Sequence, residues 1–373
     1  MSTALASLRL QHFRSYNDTS FTFGEGVNII VGPNASGKTN ILEAVLVVAT
    51  GGSYRVRDAD LLQYDASWAR LDAATPAGDR VIKMQLTAPG KVLKSFEIDG
   101  QPLARLMQQR TLPVVLFEPN HLLLLHGSPD MRRTFLDDLL EQAVPGYGAT
   151  RKHYRRVLTH RNALLKRQPR DIADQLFVWN LRLSELGGKI VRERQRLVEQ
   201  FAARMTELYT ALADKPHTVT LDYMTQFAGH DYETALLKKL EASTDTDVQR
   251  GFTAYGPHRD DIQVAIDGHA ASESASRGET RTIVLALKVL ELQLLESIRG
   301  ERPLLLLDDV FSELDAARRQ ALTTFVANYQ TFITTTDADV VAHHFTQSTI
   351  IRLQPELGSE AAIASPGPVS TSR

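Results

Sequence analysis

Short runs of alternating apolar and polar residues open the chain and predict β-strands. The third run leads directly into a glycine-rich turn, and an apolar-periodic stretch from Ile41 to Val48 follows it. This order predicts a strand, a loop and a helix. Further alternating segments between 69 and 99, separated by Pro89-Gly90 and Asp99-Gly100, predict an antiparallel meander. The first three strands are expected at 5–10, 20–23 and 27–31.

The middle of the chain has a different period. Between about 129 and 212 there is little strand signal, and from Leu176 onward apolar residues recur every three or four positions, which places one apolar stripe along a long helix. The helix should end before Lys215-Pro216, and Gly187-Gly188 should weaken it locally. The stripe contains Leu176, Trp179, Leu183, Leu186, Ile190, Leu197, Phe201, Met205, Leu208 and Leu212.

Strand patterns return after Pro216, and a strong helix pattern runs from Gly278 to Ile298. We therefore predict an α/β head assembled from both chain ends and interrupted by a mostly helical arm. The later strands are expected at 218–221, 261–266, 303–307 and 332–335. The predicted boundaries are 1–128 and 216–355 for the head, 129–215 for the arm with a possible extension to about 245, and 356–373 for a disordered tail.

Composition narrows the class of protein. The 373 residues include no cysteine, which excludes disulfides and thiolate metal sites and fits a reducing cytoplasm. The apolar run around Leu304–Leu307 is far too short to cross a bilayer, so we expect a soluble cytoplasmic protein. The formal net charge is only −2, so affinity for nucleic acid must come from local clusters of charge.

The glycine-rich turn matches the phosphate-binding loop at every fixed position. Backbone N–H groups and the following helix start would bind the phosphates of ATP. Lys38 should reach the β and γ phosphates, and the Thr39 hydroxyl should ligate Mg²⁺. The alternative is an accidental glycine-rich turn, which the flanking strand and helix disfavour. The predicted ATP-binding residues are Gly32, Pro33, Asn34, Ala35, Ser36, Gly37, Lys38 and Thr39.

A second acidic motif follows an apolar strand, Leu304 to Leu307, which ends in Asp308 and Asp309. In P-loop enzymes the first acid at this position holds the metal, so Asp308 is the predicted Mg²⁺ ligand. Asp309 is the predicted catalytic group that orients the attacking water, together with Lys38 on the phosphates. Taken alone, the two carboxylates would equally fit an acidic turn or helix cap.

The motif Ser276-Arg277-Gly278-Glu279 precedes the long helix that begins near Thr282. Ser276 and Glu279 also have capping-box spacing, and both roles can hold together. The order of serine-glycine motif, helix and Asp-Asp strand is that of ABC-type ATPases, so the predicted α/β head is a P-loop ABC-type ATPase head. There, Ser276, Gly278 and Glu279 would cap the γ-phosphate held by the opposite copy. Two complete sites would then form only in an ATP-dependent homodimer.

A basic run without acidic residues lies between 149 and 170. It is the best local candidate for contact with DNA phosphates, and the alternative is a solvated helix face. Its members are Arg151, Lys152, Arg155, Arg156, Arg161, Lys166, Arg167 and Arg170.

Several strings of this chain resemble the RecF family of bacterial DNA repair and recombination proteins, up to about residue 350. The resemblance implies a head similar to those of chromosome-maintenance proteins, with a short helical arm and ATP-driven dimerisation. It also implies binding to single-strand/double-strand DNA junctions, and action with RecO and RecR to place RecA on gapped DNA. The strings are LRLQHFRSY from Leu8, FEP from Phe117, HGSP from His126, RRTFLD from Arg132, YGPHRDD from Tyr255, SRGE from Ser276 and DDVFSELD from Asp308.

The resemblance assigns Ser312 and Asp315 to the D-loop and suggests that Arg14 contacts nucleotide. Two departures from the wider ABC pattern predict slow hydrolysis. Asp309 replaces the usual glutamate, and no switch histidine follows the strand at Thr334–Asp337.

Other roles stay open at this stage. No Q-loop glutamine stands near Val114–Phe117, and we interpret His258 and Arg259 as structural.

An ATP-gated DNA clamp with negligible turnover is the main alternative function. A transporter ATPase subunit is disfavoured by the long basic helical insertion.

Overall fold

The structure is a computed structural model that describes residues 4–53, 55–169, 171–213, 216–227, 231–345 and 347–354. Two compact units emerge from it: one contains residues 1–122 and 288–373, the other residues 123–287. The prediction of an α/β fold built from both chain ends and interrupted by an insertion is confirmed. Arg170 and the predicted disordered tail 356–373 lie outside the described residues.

The strands of the described chain include the predicted ones, and in addition strands at 114–117, 269–270 and 348–352 that were not predicted. They are β1 (Ser7–Phe13), β2 (Tyr16–Thr22), β3 (Val27–Val31), β4 (Trp68–Ala74), β5 (Arg80–Ala88), β6 (Lys91–Ile98), β7 (Gln101–Leu103), β8 (Val114–Phe117), β9 (Val219–Met224), β10 (Asp261–Ile266), β11 (His269–Ala270), β12 (Leu304–Asp308), β13 (Thr331–Thr335) and β14 (Ser348–Arg352).

The α-helices concentrate in the middle of the chain. They are α1 (Lys38–Thr50), α2 (Pro129–Ala143), α3 (Tyr147–Arg167), α4 (Ile172–Leu212), α5 (Tyr232–Ala242), α6 (Thr244–Arg250), α7 (Ala271–Ser274), α8 (Arg277–Arg299), α9 (Val310–Glu313), α10 (Ala316–Val326) and α11 (Ala338–Ala342). Within the described residues, no helix combines the length and the apolarity that a membrane span requires.

The first unit contains two sheets. The predicted meander belongs to a six-stranded antiparallel sheet with the order β2-β1-β4-β5-β6-β7. A five-stranded parallel sheet has the order β14-β3-β13-β12-β8. All residues of β3, β12 and β13 are buried, as expected of strands covered on both faces. Because parallel strands end at one edge, the carboxyl ends of these three strands lie side by side there.

The second unit combines helices α2 to α6 with a three-stranded sheet of order β11-β10-β9. Its limits, 123 and 287, differ from the predicted arm boundaries of 129 and 215. Strands β9 and β10 pack against helices α4 and α2, so the segment from 216 to 287 clusters with the helices. The motif that starts at Ser276 therefore falls within this unit.

The long predicted helix is confirmed as α4, a single helix of 41 residues. Gly187 and Gly188 do not interrupt it. A β-carbon on Gly187 would lie 3.2 Å from the Leu236 side chain, and one on Gly188 would lie 2.3 Å from Glu233. The two glycines therefore let α5 approach α4 closely, and this packing offsets their low helix propensity.

Arg161 on α3 is completely buried in the second unit. Its guanidinium pairs with Asp247 at 2.8 Å and donates to Asn180 at 2.7 Å and to Thr253 at 2.8 Å. Asp247 is buried as completely as Arg161. The pair thus joins α3 to α4 and α6 in the interior.

We expect Arg161→Leu to lower the free energy of unfolding by about 3–5 kcal/mol, because it leaves the Asp247 carboxylate buried without its cation. Thermal melting of the purified protein measures the loss. Arg155→Leu, on the exposed side of the same helix, is the matched control and should change stability by no more than about 0.5 kcal/mol. Equal melting temperatures for the two variants would contradict the structural role of Arg161.

Candidate nucleotide-binding site

The predicted phosphate-binding loop lies between buried strand β3 and helix α1, which begins at Lys38. The loop turns through left-handed conformations at Ala35 (φ 65°) and Gly37 (φ 90°). A β-carbon at Gly37 would also lie 2.7 Å from the Tyr16 hydroxyl oxygen. Glycine is therefore required there, both by the backbone angle and by the space available. As the N-cap of α1, it has no side chain that could occupy the first N–H groups of the helix.

Lys38 crosses the loop that precedes it. Its ammonium donates to the carbonyl oxygens of Gly32 at 2.7 Å and Pro33 at 2.8 Å. Partial burial lowers the pKa of Lys38, and the nearby carboxylates of Asp309 and Asp308 oppose that effect. The loop therefore holds a cation at the place where phosphate oxygens would arrive in a phosphate-binding loop.

Asp308 is the centre of the site. Its carboxylate, at the buried end of β12, accepts a hydrogen bond from the Thr39 hydroxyl at 3.0 Å and another from the Thr334 hydroxyl at 2.8 Å. The structure thus brings together Thr39 and Asp308, which are 269 positions apart in the sequence. A hydroxyl and a carboxylate at this spacing fit Mg²⁺, which prefers hard oxygen ligands and keeps other positions for water and phosphate.

Asp309 follows in a left-handed conformation with φ 53°, and its side chain is exposed. Its N–H donates to the Thr334 hydroxyl oxygen at 2.9 Å. A left-handed aspartate is strained relative to ordinary backbone, and such residues cluster at functional sites. The strain and the Thr334 hydrogen bond set the direction of the chain directly after Asp308, the predicted metal ligand.

Arg14 lies in the turn between β1 and β2, at φ 55°. Its Nε donates to Glu43 at 2.6 Å, and its neighbours Ser15 and Tyr16 bond to Asn40 and to the Gly37 carbonyl. The three contacted positions 37, 40 and 43 are three apart, so they follow one face of α1. The turn is thereby attached along the first two turns of the helix, while contact of Arg14 with nucleotide stays a prediction.

Ser312 and Asp315, the predicted D-loop residues, have local partners. The Ser312 hydroxyl donates to the Asp309 carbonyl at 2.6 Å. Asp315 caps α10 by accepting from the Arg318 N–H at 3.0 Å, and it also forms an ion pair with the Arg318 guanidinium. The segment after Asp309 is therefore held in a defined turn.

Two site residues were missed by the sequence analysis. Thr334 bridges Asp308 and Asp309, and a guanidinium nitrogen of Arg55 lies 3.7 Å from the Asp308 carboxylate. Position 334 was noticed only for its lack of a histidine, although a hydroxyl at the end of the strand beside β12 was a usable signal. Arg55 has no motif that would have revealed it.

The predicted signature residues lie in the second unit, at the start of α8. The Ser276 N–H donates to the Glu279 carboxylate at 2.7 Å, and the Glu279 N–H donates to the Ser276 hydroxyl at 3.3 Å. These reciprocal bonds confirm the capping box that was predicted as the simpler role. The backbone of Gly278 accepts from the Thr282 hydroxyl at 3.0 Å inside the helix.

The basic run divides into two groups on α3. Arg161 is buried as described, and Arg151 is 8% exposed and pairs with Asp137, Asp138 and Glu141. Both guanidinium groups are buried and paired within the second unit, so the prediction that Arg151 and Arg161 contact DNA is wrong. The exposed remainder, here called the basic face, consists of Lys152, Arg155, Arg156, Lys166 and Arg167.

The basic face is one side of a helix. At about 100° per residue, its five side chains fall within an arc of about 120°, and Arg161 falls on the opposite side. None of the five forms an ion pair with another described residue, in contrast to Arg151. Stacked rings of His160 and Trp179, with centroids 5.0 Å apart, lie beside it.

Hydrogen bonds and an ion pair join the segment Tyr255–Asp261 to the segment Arg132–Asp137. Arg132 forms a bidentate pair with Asp261 at 2.7 Å, and Arg133 donates to the Asp260 carbonyl at 2.7 Å. His258 accepts from or donates to the Tyr154 hydroxyl at 2.7 Å and contacts the Thr253 carbonyl. Burial lowers the pKa of His258 to about 4.

These contacts agree with the structural interpretation of His258. The pKa keeps the imidazole neutral near pH 7, and the two ring nitrogens are both occupied within the unit. The surroundings of Arg259 differ from those of His258. The Arg259 side chain is exposed, and its guanidinium lies 5.1 Å from the Phe252 ring centroid.

Comparison with known proteins identifies the class. Residues 4–356 match the model of the RecF/RecN/SMC N-terminal domain family. A solved SMC head bound to the C-terminal winged-helix domain of ScpA shares the fold, with a TM-score of 0.57 at 16% identity and 97% coverage of both chains. The chain is therefore a head domain of the RecF/RecN/SMC class, as the fold and the Asp308 site indicate.

Within that class the relatives are more specific. The DNA replication and repair protein RecF of Heliobacterium modesticaldum is 36% identical, over 89% of this chain and 92% of its own length. The solved structure of the recombination mediator protein RecF-ATP in the RecFOR pathway has a TM-score of 0.83 at 26% identity, covering 97% of each chain. The chain belongs to the RecF family.

The Thr334 hydroxyl is the hydrogen-bonding partner of both acidic residues, so Thr334→Val should impair metal binding. Loss of such an outer partner typically lowers metal affinity or activity about 10–100-fold. Titration of Mg²⁺-dependent ATP hydrolysis measures the effect. Thr334→Ser keeps the hydroxyl and should retain most of the affinity, whereas equal Mg²⁺ requirements for Val and Ser variants would show that the hydroxyl has no part in the site.

Proposed function

We propose that the chain is an ATP-dependent DNA-binding protein of recombinational repair, which binds ATP with Mg²⁺, dimerises, binds DNA and hydrolyses ATP slowly. The observation that carries the proposal is the cluster of Thr39, Asp308 and Thr334 beside Lys38. The membership in the RecF family and the likeness to the RecF-ATP structure support nucleotide binding at this cluster.

In the proposed site, residues 32–39 wrap the phosphates with backbone N–H groups, and Lys38 exchanges its two carbonyl partners for phosphate oxygens. Thr39 and Asp308 hold Mg²⁺, which neutralises charge that develops on the phosphates. Arg14 is the proposed further contact to nucleotide. Its ion pair with Glu43 attaches it to α1, the helix that carries Lys38 and Thr39.

Asp309 is the proposed group that orients the attacking water. Its exposed carboxylate directly follows the metal ligand, and the side chain is one methylene shorter than the glutamate that is usual here. A shorter acid places its oxygens less favourably for water, which is consistent with slow hydrolysis. The second candidate function, an ATP-gated DNA clamp with negligible turnover, rests on the same feature.

The second half of each site would come from a second copy of the chain. Ser276, Gly278 and Glu279 begin a helix of 23 residues, whose N–H groups and dipole favour an anion. Ser312 and Asp315 would lie at the same interface as the D-loop. Under this proposal ATP is shared between two subunits and thereby drives homodimer formation.

The basic face of α3 is the proposed DNA contact. Five cations between Lys152 and Arg167, on a helix of 21 residues, suit binding to a phosphate backbone, which carries charge but no sequence information. Rings that flank the face, such as the exposed His160 over Trp179, add surfaces on which unpaired bases can stack. Both features suit a junction between single-stranded and double-stranded DNA.

A relative is named as a DNA replication and repair protein, and a solved relative as a recombination mediator in the RecFOR pathway, which supports a role of this chain in replication and repair. We propose that the chain acts in the cytoplasm with RecR and RecO to promote loading of RecA on gapped DNA. Contact with RecA would be indirect.

Two substitutions test the shared ATP site. Ser276→Arg should leave ATP binding by the monomer nearly intact, because Lys38, Thr39 and Asp308 belong to one chain, while dimerisation and hydrolysis fail. Asp309→Asn should keep the dimer and prolong its lifetime, and it should slow ATP hydrolysis by at least about 10²-fold. Sedimentation with Mg²⁺ and ATP separates the two outcomes. A Ser276→Arg protein that dimerises and hydrolyses ATP like the wild type would disprove the shared site.

A charge-matched pair of triple variants tests the basic face. Lys152→Gln/Arg155→Gln/Arg156→Gln should weaken DNA binding and lower the slope of log K against log salt by up to about 2.7, if all three contact phosphates. The control Arg182→Gln/Arg192→Gln/Arg196→Gln removes the same charge from exposed arginines that already pair with glutamates.

Binding is measured on gapped, duplex and single-stranded DNA over a range of salt concentrations. The control variant should keep the wild-type slope. If both triple variants changed the slope equally, the effect would come from net charge, and the basic face would be only a solvated helix surface.

A further inference from the structure

A carboxylate occupies the start of the signature helix. The Ser276 N–H, which directly precedes the α8 N–H groups proposed to meet the γ-phosphate of the partner copy, donates to the Glu279 Oε2 at 2.7 Å. The Ser276 hydroxyl accepts from the Glu279 N–H and is also hydrogen-bonded to the Glu279 carboxylate, so Glu279 occupies both polar groups of Ser276. Two anions cannot share the Ser276 N–H without strong repulsion. The Glu279 side chain must therefore leave the Ser276 N–H before a phosphate can bind there, so the proposed contribution of Glu279 to the phosphate site is that of its backbone N–H.

One side chain beside Glu279 can receive the displaced carboxylate. The Nε2 of His217 lies 3.7 Å from the Glu279 Oε1, which is close for an ion pair but too long for a hydrogen bond. A shift of about 1 Å would bring the two atoms to hydrogen-bond distance, and because the Nδ1 proton is directed at Asp267, the Nε2 can donate to Glu279 only when the ring carries a second proton as imidazolium. The Ser276 N–H would be released by the same movement.

The other ring nitrogen of His217 is already committed. Its Nδ1 lies 2.6 Å from the Asp267 Oδ2 in the turn between β10 and β11, and an ionised carboxylate can only accept. The Nδ1 therefore carries a proton, and Asp267 orients the ring so that the Nε2 faces Glu279. Asp267 is itself fixed by the Thr218 N–H at 2.9 Å. The arrangement is carboxylate, imidazole and carboxylate in a row.

His217 also belongs to the end of the long helix. The Tyr209 ring in the last turn of α4 packs edge-on against the imidazole, with centroids 6.0 Å apart. Two residues further on, the Val219 N–H and carbonyl both bond to the Thr206 hydroxyl of α4. The position of His217 is therefore determined by the helix that packs against α3, which carries the basic face.

We infer that His217 is a positioning residue for the signature motif, which withdraws the Glu279 carboxylate from the Ser276 N–H when the partner's ATP arrives. The inference rests on the proposed function, because it takes the Ser276 end of α8 as the γ-phosphate site. It adds a specific obstacle, the Glu279 charge, and a specific residue that removes the obstacle.

A double-mutant cycle tests the inference. Dimer dissociation constants are measured by sedimentation with Mg²⁺ and a non-hydrolysable ATP analogue, for the full chain. His217→Ala should weaken the dimer about tenfold when Glu279 is present, because the displaced charge loses its partner. In the Glu279→Gln background there is no charge to withdraw, so His217→Ala should cost nothing further. Nucleotide binding by the monomer should stay unchanged in all four proteins.

Two further variants guard against a general folding effect. His269→Ala, in β11 of the same hairpin, removes an exposed histidine and should leave the dimer constant unchanged. Asp267→Asn removes the charge that orients the ring, and it should weaken the dimer as His217→Ala does while melting near the wild-type temperature.

The outcomes separate this inference from the proposed function. If His217→Ala weakened the dimer equally in both backgrounds, or in neither, His217 would have only a structural role or none, and the inference would fail. That result would leave the shared site intact provided that Ser276→Arg still abolished dimerisation. If Ser276→Arg dimerised normally, the proposed shared ATP site would be disproved, and the inference about His217 would be disproved with it.

Discussion

The burial of the Asp308 carboxylate is the constraint around which the first unit is organised. A carboxylate at the end of a fully buried strand is costly unless other groups replace the lost water. Thr39 and Thr334 supply hydroxyl groups, and Arg55 supplies a nearby positive charge. These groups come from α1, from the adjacent strand and from a separate loop. The strand order, with β13 between β3 and β12, places them at one edge.

The second unit also surrounds a buried carboxylate with hydrogen-bond donors, and here most of them are arginine side chains. Asp137 accepts two bonds from Arg194, one from Tyr147 and an ion pair from Arg151, all in the interior. Arg194 also donates to the Pro257 carbonyl at 2.7 Å, so the network reaches the string at Tyr255–Asp261. Breaking such a network costs more than an exposed pair would, because each remaining charge is left buried. Many residues of the family strings are therefore explained by packing and not by contact with ligand.

Features that depend on interactions between neighbouring residues were predicted from the sequence, whereas features that depend on contacts between distant segments were not. The loop at 32–39, helix α4 and the meander are determined by short-range rules of glycine placement and apolar period, and they were predicted correctly. The basic run was predicted only in part. Counting cations does not show which side of a helix each one faces, although a 100° periodicity would have placed Arg161 opposite the other basic residues. Arg55 and the attachment of Arg14 to Glu43 depend on chain crossings that no local pattern encodes.

The sequence by itself determined the class of fold, the phosphate-binding loop, the acidic strand end and the capping box at Ser276, because each depends on residues within a few positions of one another. Only the tertiary structure decided that Thr334 joins the two acids, that Arg151 and Arg161 are interior, and that His217 faces Glu279. These relations join residues dozens to hundreds of positions apart. Their distances are set by how strands and helices pack, which depends on the summed shape and burial of many side chains.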